Sequence, residues 1–183
     1  MGKKSNYFRE IPSKMAEIID YYDKIITLGR NEFLKVSGSI DTNIYFVESG
    51  SLRIFIIDEN EERVIRFGYS NDLIVALDSF LTGKPSDFYI QAIKKTCIKV
   101  IPKSRFLEFL SQSEQNKMTW TNIIESLIIQ QLEREKDLLT NSPKERYNRV
   151  LARSPRLFQE IPNRHIANYL RMSPETLSRL KKS

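Results

Sequence analysis

Cysteine and histidine are almost absent, with one residue of each, Cys97 and His165. A lone cysteine excludes an internal disulfide, a cysteine zinc site or an iron–sulfur cluster, because each of these needs several cysteines. Cys97 lies in the apolar run Cys97–Ile101, which favours a small buried side chain over a reactive thiol. His165 lies in a basic C-terminal segment, so a histidine-ligated haem is unsupported. We expect no cofactor and no metal site.

Long apolar runs are missing as well. No stretch approaches the roughly 20 apolar residues that a membrane-spanning helix needs. The first 13 residues are charged and polar and lack the apolar core of a secretory signal. With 40% hydrophobic and 28% charged residues, the composition predicts a soluble, cytoplasmic protein.

Motifs for catalysis are also lacking. The sequence contains no glycine-rich phosphate loop, no nucleophile elbow and no cluster of metal ligands. The carboxylate pair Glu61 and Glu62 falls in a predicted turn, where solvated surface is the simpler interpretation. We therefore predict that the protein is not an enzyme.

Positive charge is concentrated at the C-terminal end. Residues 140–183 contain ten Lys and Arg against three Glu, a net charge of +7, whereas the remaining residues carry −1. A basic segment on a nearly neutral body is typical of a nucleic-acid-binding module, because Lys and Arg neutralise phosphates and release counterions. A solvated charged face is the alternative, and charge alone does not decide between them.

Residues 25–101 have the pattern of an all-β sandwich or barrel, with short β-branched and aromatic segments separated by Gly, Asn and Asp. The clearest hairpin joins Ile44–Glu48 to Leu52–Ile57 through Gly50, which suits the positive φ of a tight turn. A short helix at 13–22, capped by Ser13, precedes these strands. The other predicted features are a turn at 58–61 and strands at 63–68, 88–93 and 97–101.

After Pro102 the apolar period becomes helical. Ile128, Leu132, Glu135 and Leu139 form a short coiled-coil-like seam, while Trp120, Ile123 and Leu127 lie on another side of the same helix. One face can pack on the β domain and the other on a second subunit. An internal core helix is the alternative.

Two short helices are predicted near the C-terminus. The first is capped by Asn163 and places Ile166, Ala167 and Leu170 inward. After a turn at Arg171 and Met172, Ser173 caps the second helix, which begins at Pro174, where a missing N–H costs nothing. Glu175 adds a favourable negative charge at its N-terminal end. An ordinary helical hairpin or a DNA-reading helix-turn-helix would both fit this pattern.

The segment Ile166–Arg179 resembles the helix-turn-helix of the CRP/FNR transcription regulators, the relatives of the cyclic-AMP receptor protein. The segments Ile44–Arg53 and Ser79–Pro85 resemble the β-roll sensor domain of the same family. The resemblance implies an α+β fold: an N-terminal β-roll (a double-stranded β-helix, cyclic-nucleotide-binding-like), a long dimerisation helix and a C-terminal helix-turn-helix. The corresponding domains are residues 1–111, 112–140 and 141–183.

The resemblance also implies a cytoplasmic homodimer that binds double-stranded DNA at a palindromic site. Glu175 and Arg179 match base-reading positions of the family. The full set of expected DNA contacts is Ser173, Glu175, Thr176, Arg179, Arg164 and Lys182. The expected dimerisation residues are Ile124, Ile128, Leu132 and Leu139.

Two departures from the family pattern concern DNA binding. Relatives often have glycine where this chain has Arg171, and a left-handed conformation would cost a non-glycine residue roughly 1 kcal/mol. We therefore expect a slightly different turn. The sequence ends at Ser183, and we expect a short form without the C-terminal β-hairpin wing, in which Lys181 and Lys182 supply replacement contacts.

The ligand site of the family is degenerate in this chain. Members that bind cyclic AMP hold the ribose with a Gly-Glu pair and the phosphate with an Arg-Ser or Arg-Thr pair. The corresponding residues here are Val75, Ala76, Ser86 and Asp87. The ribose acceptor and phosphate cation are both lost, so we expect no cyclic-AMP binding in the usual mode.

Two alternatives remain open at this stage. The pocket could accept an unknown small effector, since Tyr69, Phe80, Phe88 and Tyr89 supply apolar surface, although such residues also suit a core. The chain could also be a ligand-binding or protein-interaction module whose helix-turn-helix no longer reads DNA. Salt-sensitive DNA binding would separate the regulator from this module.

Overall fold

A computed structural model describes residues 15–182, with side chains from Glu17 onward. The chain divides into two compact units at Trp120 and Thr121. We call residues 15–120 the β unit and residues 121–182 the helical unit. The sequence-based division into residues 1–111, 112–140 and 141–183 stays a prediction.

The β unit contains eight strands in two antiparallel sheets of four. The first sheet has the order β1-β8-β3-β6 and the second the order β2-β7-β4-β5. The strands are β1 (Lys24–Leu28), β2 (Phe33–Lys35), β3 (Ile44–Ser49), β4 (Ser51–Asp58), β5 (Glu61–Tyr69), β6 (Leu73–Val75), β7 (Tyr89–Ala92) and β8 (Thr96–Ile101).

The core of the β unit lies between the strands of both sheets, because alternate side chains along each strand point to the same face. Val47 and Ile98 from the first sheet and Leu52 and Ile90 from the second are completely buried in it. Truncating one such residue to alanine typically costs about 2 to 5 kcal/mol. The predicted N-terminal β-roll domain is confirmed.

The predicted hairpin around Gly50 is wrong. β3 and β4 do not pair, because they belong to different sheets. Gly50 adopts a φ of 99°, and a Cβ atom there would lie 2.5 Å from the carbonyl oxygen of Lys95. Glycine is therefore required at a corner where the chain crosses between sheets. A positive φ and a close backbone approach give the same sequence signal as a hairpin turn.

The hairpin lies one turn further along the chain. β4 and β5 pair from Asp58 and Glu61 at the tip to Ser51 and Tyr69. The two intervening residues, Glu59 and Asn60, have φ values of 48° and 67°, as a type I′ turn requires. The predicted turn at 58–61 is therefore present, and it closes a two-residue hairpin.

Helices flank and follow the strands. A 3-10 helix, Met15–Tyr21, occupies most of the predicted leading helix; its expected cap, Ser13, lies outside the described residues. The α-helices are α1 (Leu77–Thr82), α2 (Lys103–Ser111), α3 (Glu114–Leu139), α4 (Pro143–Arg153), α5 (Leu157–Glu160), α6 (Asn163–Tyr169) and α7 (Pro174–Lys182).

α3 is the longest helix and has two different apolar faces. At its N-terminal end Trp120 packs edge-on against Phe106 and Phe80, with ring centroids 4.8 and 6.2 Å apart. Within the helical unit, Ile128, Leu132 and Leu139 are 55%, 51% and 74% exposed. Exposed large apolar side chains at helical spacing are unusual on a monomer and typical of an interaction surface.

Candidate nucleic-acid interface

α7 begins where the sequence predicts it, and for the predicted reason. Pro174 is its first residue, and the hydroxyl oxygen of Ser173 accepts a hydrogen bond from the backbone N–H of Thr176 at 3.2 Å. This bond satisfies one of the amides that a helix N-terminus leaves unpaired. The N-terminal turn of α7 is therefore fixed in place and carries short polar side chains.

The two faces of α7 are strongly unequal. Leu177 is fully buried, whereas Glu175, Ser178, Arg179 and Lys182 are exposed. Thr176 is half-buried, and its hydroxyl lies 3.2 Å from that of Ser173. The polar face is thus free to meet a partner while the apolar face holds the helix in the unit.

Glu175 is held in its charged form. A bond from its own backbone N–H and one from the Ser173 side chain lower the pKa of its carboxyl, and the nearby Arg179 acts in the same direction. Glu175 and Arg179 are four residues apart and therefore neighbours on one helix face. The structure brings this acceptor and this donor together on the exposed side of α7.

α6 differs from its prediction at the cap. Pro162 occupies the cap position and Asn163 is the first residue of the helix, so Asn163 is not the N-cap. Its side-chain oxygen instead accepts a hydrogen bond from Lys181 at the end of α7. Lys181 is thereby engaged within the unit, while Arg164 and Lys182 remain exposed.

The turn between α6 and α7 keeps the left-handed conformation despite its non-glycine residue. Arg171 has a φ of 52°. Its backbone N–H donates to Asn168 and that of Met172 donates to Ala167, both at 3.0 Å. These bonds form the motif that usually ends a helix at glycine, so the expectation of a different turn is wrong.

Two buried arginines bind the backbone carbonyls of this turn. Arg146 on α4 donates to Leu170 at 2.6 Å and to Arg171 at 3.1 Å. Arg134 on α3 donates to Tyr169 at 2.7 Å, and its guanidinium lies 3.7 Å from the centre of the Tyr169 ring. Neither residue was predicted for this role, because the sequence shows a basic side chain but not the carbonyl that it binds.

α3 and α4 are joined by a buried carboxylate, which was also missed. Asp137 is completely buried and accepts hydrogen bonds from Arg149 at 3.0 Å and from Arg153. Glu133, one turn earlier, accepts from Arg149 at 3.0 Å. Arg149 and Arg153 therefore hold α3 and α4 together, and part of the positive charge of the helical unit has this structural role.

The four residues of the predicted degenerate pocket lie in one segment of the β unit. Val75 ends β6, Ala76 precedes α1 and is buried, Ser86 is buried, and Asp87 is exposed. Ser86 pairs with Ser39 in a short antiparallel bridge. No side chain among the four provides a cation.

A cation reaches this segment from β2 instead. Lys35 is 4% exposed, and its ammonium donates to the carbonyls of Val36, Ser86 and Phe88 at 3.2 to 3.4 Å. Desolvation lowers its pKa, opposed by Asp41, Asp78 and Asp87. Its three N–H donors are thus occupied by backbone oxygens, and nothing in the sequence marks this lysine for the role.

Apolar ligand surface is not found where the sequence suggested it. Tyr69 is fully buried and Phe80 packs on Phe106, so both belong to the core. Tyr89 stacks on Phe55 with ring centroids 5.2 Å apart. An open groove of about 440 Å³ runs along residues 33–45, and its lining residue Phe33 lies with its ring centroid 6.0 Å from that of Tyr89.

The two rare residue types have local partners. The Cys97 thiol is partly buried and lies 3.2 Å from a carboxylate oxygen of Glu48, and desolvation raises its pKa. His165 is buried, and its Nε2 lies 3.2 Å from the Nε of Arg164. Within residues 15–182 there is no cluster of metal-binding side chains and no helix long and apolar enough to cross a membrane.

Residues 25–113 match the family of cyclic nucleotide-binding domains. No curated protein matches the sequence of the chain. Among solved structures, a CooA mutant from Carboxydothermus hydrogenoformans superposes with a TM-score of 0.70 at 14% identity, covering 91% of this chain and 77% of its own.

Two further structures match at similar levels. FixK2 from Bradyrhizobium japonicum gives a TM-score of 0.69 at 19% identity, with coverage of 87% of this chain and 82% of FixK2. The catabolite activator protein of Thermus thermophilus gives 0.60 at 19% identity, with coverage of 97% and 85%. These superpositions establish that the chain shares its fold with these three proteins.

Proposed function

We propose that the chain is a sequence-specific DNA-binding transcription regulator, because residues 25–113 match the family of cyclic nucleotide-binding domains and the chain has the fold of the CRP/FNR regulators. It acts in the cytoplasm as a homodimer. Residues 1–111 form the sensor domain, 112–140 the dimerisation helix and 141–183 the DNA-binding domain. The capped N-terminal turn of α7, with its exposed polar face, is the observation that carries this proposal.

The chemistry of the exposed face suits base reading. The major groove is about 12 Å wide and admits one helix, whose first turn then faces the base edges. Arg179 can donate two hydrogen bonds to guanine, and the carboxylate of Glu175 can accept one from cytosine N4. Ser173, Thr176, Arg164 and Lys182 supply neighbouring contacts. Loss of Arg179 should reduce discrimination by about 1 to 3 kcal/mol.

Dimerisation rests on the exposed face of α3. Ile128, Leu132 and Leu139 are exposed at spacings of four and seven, and Ile124 is half-buried one turn earlier. Pairing this face with its copy would bury these side chains along a coiled-coil seam. A two-fold dimer would present two α7 helices to successive major grooves, about 34 Å apart.

The sensor domain does not bind cyclic AMP in the usual mode. Val75 and Ala76 offer no side-chain acceptor for the ribose, and Asp87 would repel the phosphate. Lys35 is a nearby cation, but backbone carbonyls hold its ammonium. An effector, if one acts on this domain, is a molecule with different contacts, and titration with cyclic AMP should give no saturable binding.

Selection of bound fragments from a random DNA pool, at two salt concentrations, tests the DNA-reading role. Wild type, Arg179→Ala and the control Arg156→Ala should be compared, because Arg156 belongs to the same unit but lies at the N-cap position before α5, away from α7 in the sequence. We expect a palindromic motif with wild type and with the control. Arg179→Ala should relax one base position in each half-site.

The alternative is a protein-interaction module with a degenerate helix-turn-helix. It predicts no enriched motif at either salt concentration for any of the three proteins. If a motif is enriched and Arg179→Ala leaves it unchanged, the protein binds DNA but Arg179 does not read a base.

Sedimentation tests the dimer separately. Leu132→Glu places a charge in the proposed seam, whereas Gln131→Glu places the same charge on the adjacent exposed position. We expect Leu132→Glu to be monomeric and Gln131→Glu to remain dimeric. Equal behaviour of the two variants would contradict this seam.

A further inference from the structure

The turn before α7 adopts a conformation that its sequence disfavours. Arg171 has a φ of 52°, in the left-handed region where a Cβ atom crowds the following carbonyl oxygen. Glycine avoids this crowding, and arginine does not. Some other interaction must therefore hold the turn.

Three consecutive carbonyls at this turn accept hydrogen bonds from guanidinium groups. Arg146 binds Leu170 and Arg171, and Arg134 binds Tyr169. The last carbonyls of a helix have no partner within the helix, and charged donors form the stronger hydrogen bonds. Arg146 and Arg134 are 7% and 8% exposed, so these bonds compete little with water.

The guanidinium of Arg146 is suited to fixing a backbone conformation. Its Nε and Nη2 reach two successive carbonyls, while Nη1 donates to Thr140 at the start of the segment that leads into α4. The planar group therefore constrains the orientation of the peptide units on both sides of Arg171. A lysine at this position could not reproduce the fork.

We propose that Arg146, with Arg134, is a positioning residue for DNA recognition, because it holds the left-handed turn at Arg171 and thereby sets the orientation of α7. This rests on the proposed DNA-reading function. Ser173, the cap of α7, follows Arg171 by two residues, so a change in φ at Arg171 redirects the whole helix. Arg146 itself contacts no DNA, since its donors bind the protein backbone.

A double-substitution experiment isolates this role. Arg146→Gln is made in the wild-type chain and in the Arg171→Gly background, where the turn no longer needs external support. Arg153→Gln is the matched control, because Arg153 lies on the same helix but binds the side chains of Asp137 and Tyr169 and not the backbone of the turn. Affinity for the selected DNA site is measured for each protein across a salt series.

We expect Arg146→Gln to weaken DNA binding about tenfold in the wild-type chain and about threefold or less in the Arg171→Gly background. The salt slope should stay unchanged, because no phosphate contact is removed. Arg153→Gln should have the same effect in both backgrounds. An equal loss from Arg146→Gln in both backgrounds, or a reduced salt slope, would overturn the proposal.

Amide hydrogen exchange in the full chain without DNA provides a second measurement. The N–H groups of Arg171 and Met172 are bonded within the turn. Arg146→Gln should speed their exchange relative to the other helical amides of the unit, whereas Arg153→Gln should leave that ratio unchanged. If Arg146→Gln does not fold, Arg146→Lys, which keeps the charge but not the fork, is used instead. Unchanged exchange would reject the positioning role even if the chain binds DNA.

The two failures are distinguishable. If the exchange result is obtained but wild type binds no DNA, the turn is held as proposed and the DNA-reading function fails. If wild type binds DNA and the Arg146 effect does not depend on residue 171, the positioning role fails alone.

Discussion

The β unit and the helical unit connect their elements in different ways. In the β unit, neighbouring strands share backbone hydrogen bonds, and nine buried residues form an apolar core between the sheets. Its buried Arg53 pairs with Glu62 within one sheet. In the helical unit, buried charges join separate helices: Asp137 links α3 to α4, and Arg146 links α4 to the end of α6.

The difference follows from where backbone hydrogen bonds go. Strands bond to their neighbours through the backbone. A helix pairs most of its backbone N–H and C=O groups within itself, so it forms hydrogen bonds to other helices only through side chains and through the unpaired groups at its ends. A unit of about 60 residues also buries a smaller share of its surface than a larger domain does. We therefore expect the helical unit to depend on its buried charges, and the β unit on packing.

Asp137→Ala should have the largest effect. It leaves Arg149 and Arg153 without their buried carboxylate, and breaking such a pair costs about 3 to 5 kcal/mol. Urea unfolding followed by far-UV circular dichroism should show an early helical transition. The fluorescence of Trp120, the only tryptophan, reports on the β unit and should change little.

The control for this variant is Glu125→Ala, an exposed acidic residue on the same helix. It should leave both transitions in place at matched protein concentration. If Asp137→Ala shifts the Trp120 transition as far as the helical one, the two units unfold together and the comparison between them fails.

Gly50→Ala should be the most damaging glycine substitution in the β unit. The added Cβ would meet backbone atoms of Lys95 and Thr96 at 2.5 Å, at a φ of 99°. Overpacking and the disfavoured φ together should cost about 2 to 5 kcal/mol. Gly83→Ala is the matched control, since Gly83 has a φ of 70° but open space around it. If both variants shift the unfolding transition of Trp120 equally, the contact of the added Cβ with Lys95 and Thr96 is not the cause of the destabilisation.

Lys35→Met tests a buried cation of the β unit that donates to backbone carbonyls. We expect a stability loss no greater than about 1 kcal/mol, because replacing a buried charge by an apolar side chain is often neutral. Burial lowers the pKa of Lys35, so the unfolded chain binds more protons there. Wild-type stability should therefore rise as pH increases through the folded pKa, and Lys35→Met should lack this rise. If the stability of wild type and that of Lys35→Met change in parallel with pH, this expectation is contradicted.

The smallest effect concerns acid sensitivity of the helical unit. A hydrogen bond from Lys136 lowers the pKa of Glu133, with Arg149 and Arg153 adding to it. Its stabilising contribution is present above the unfolded pKa, about 4.5, and is lost as pH falls through the folded value. In Glu133→Gln the free energy of unfolding of the helical unit should fall less over this acid range than in wild type, by a difference of less than about 1 kcal/mol. A larger fall in the free energy of unfolding than in wild type would contradict this assignment.

Local sequence signals predicted the elements but not all of their pairings. Ser173 and Pro174 mark the start of α7 through backbone chemistry that depends on adjacent residues only, so that helix was found correctly. Gly50 gives the same signal whether the chain turns back on its own sheet or crosses to another. Strand pairing depends on partners far along the chain, and β8 separates β1 from β3 in the first sheet.

The interior charges could not be predicted for the same reason. Arg134, Arg146 and Asp137 are unremarkable in a charged sequence, and their roles depend on carbonyls and guanidinium groups up to 35 residues away. The exposed residues of α7 could be predicted, since helical periodicity and the family resemblance both place them. Arg171 was correctly predicted to be a disfavoured residue for the turn. The contacts of Arg146 and Arg134 that support the turn could not be predicted from the sequence.

The most direct test of the central claim is the affinity of wild type for its selected DNA site, measured by fluorescence anisotropy across a salt series. A reader that neutralises Z phosphates gives a slope of log K against log salt near −0.9Z, and a mutated half-site should weaken binding by about 1 to 3 kcal/mol per base pair. We predict both the slope and the loss. Binding that is insensitive to salt and to the half-site sequence would contradict the DNA-reading account.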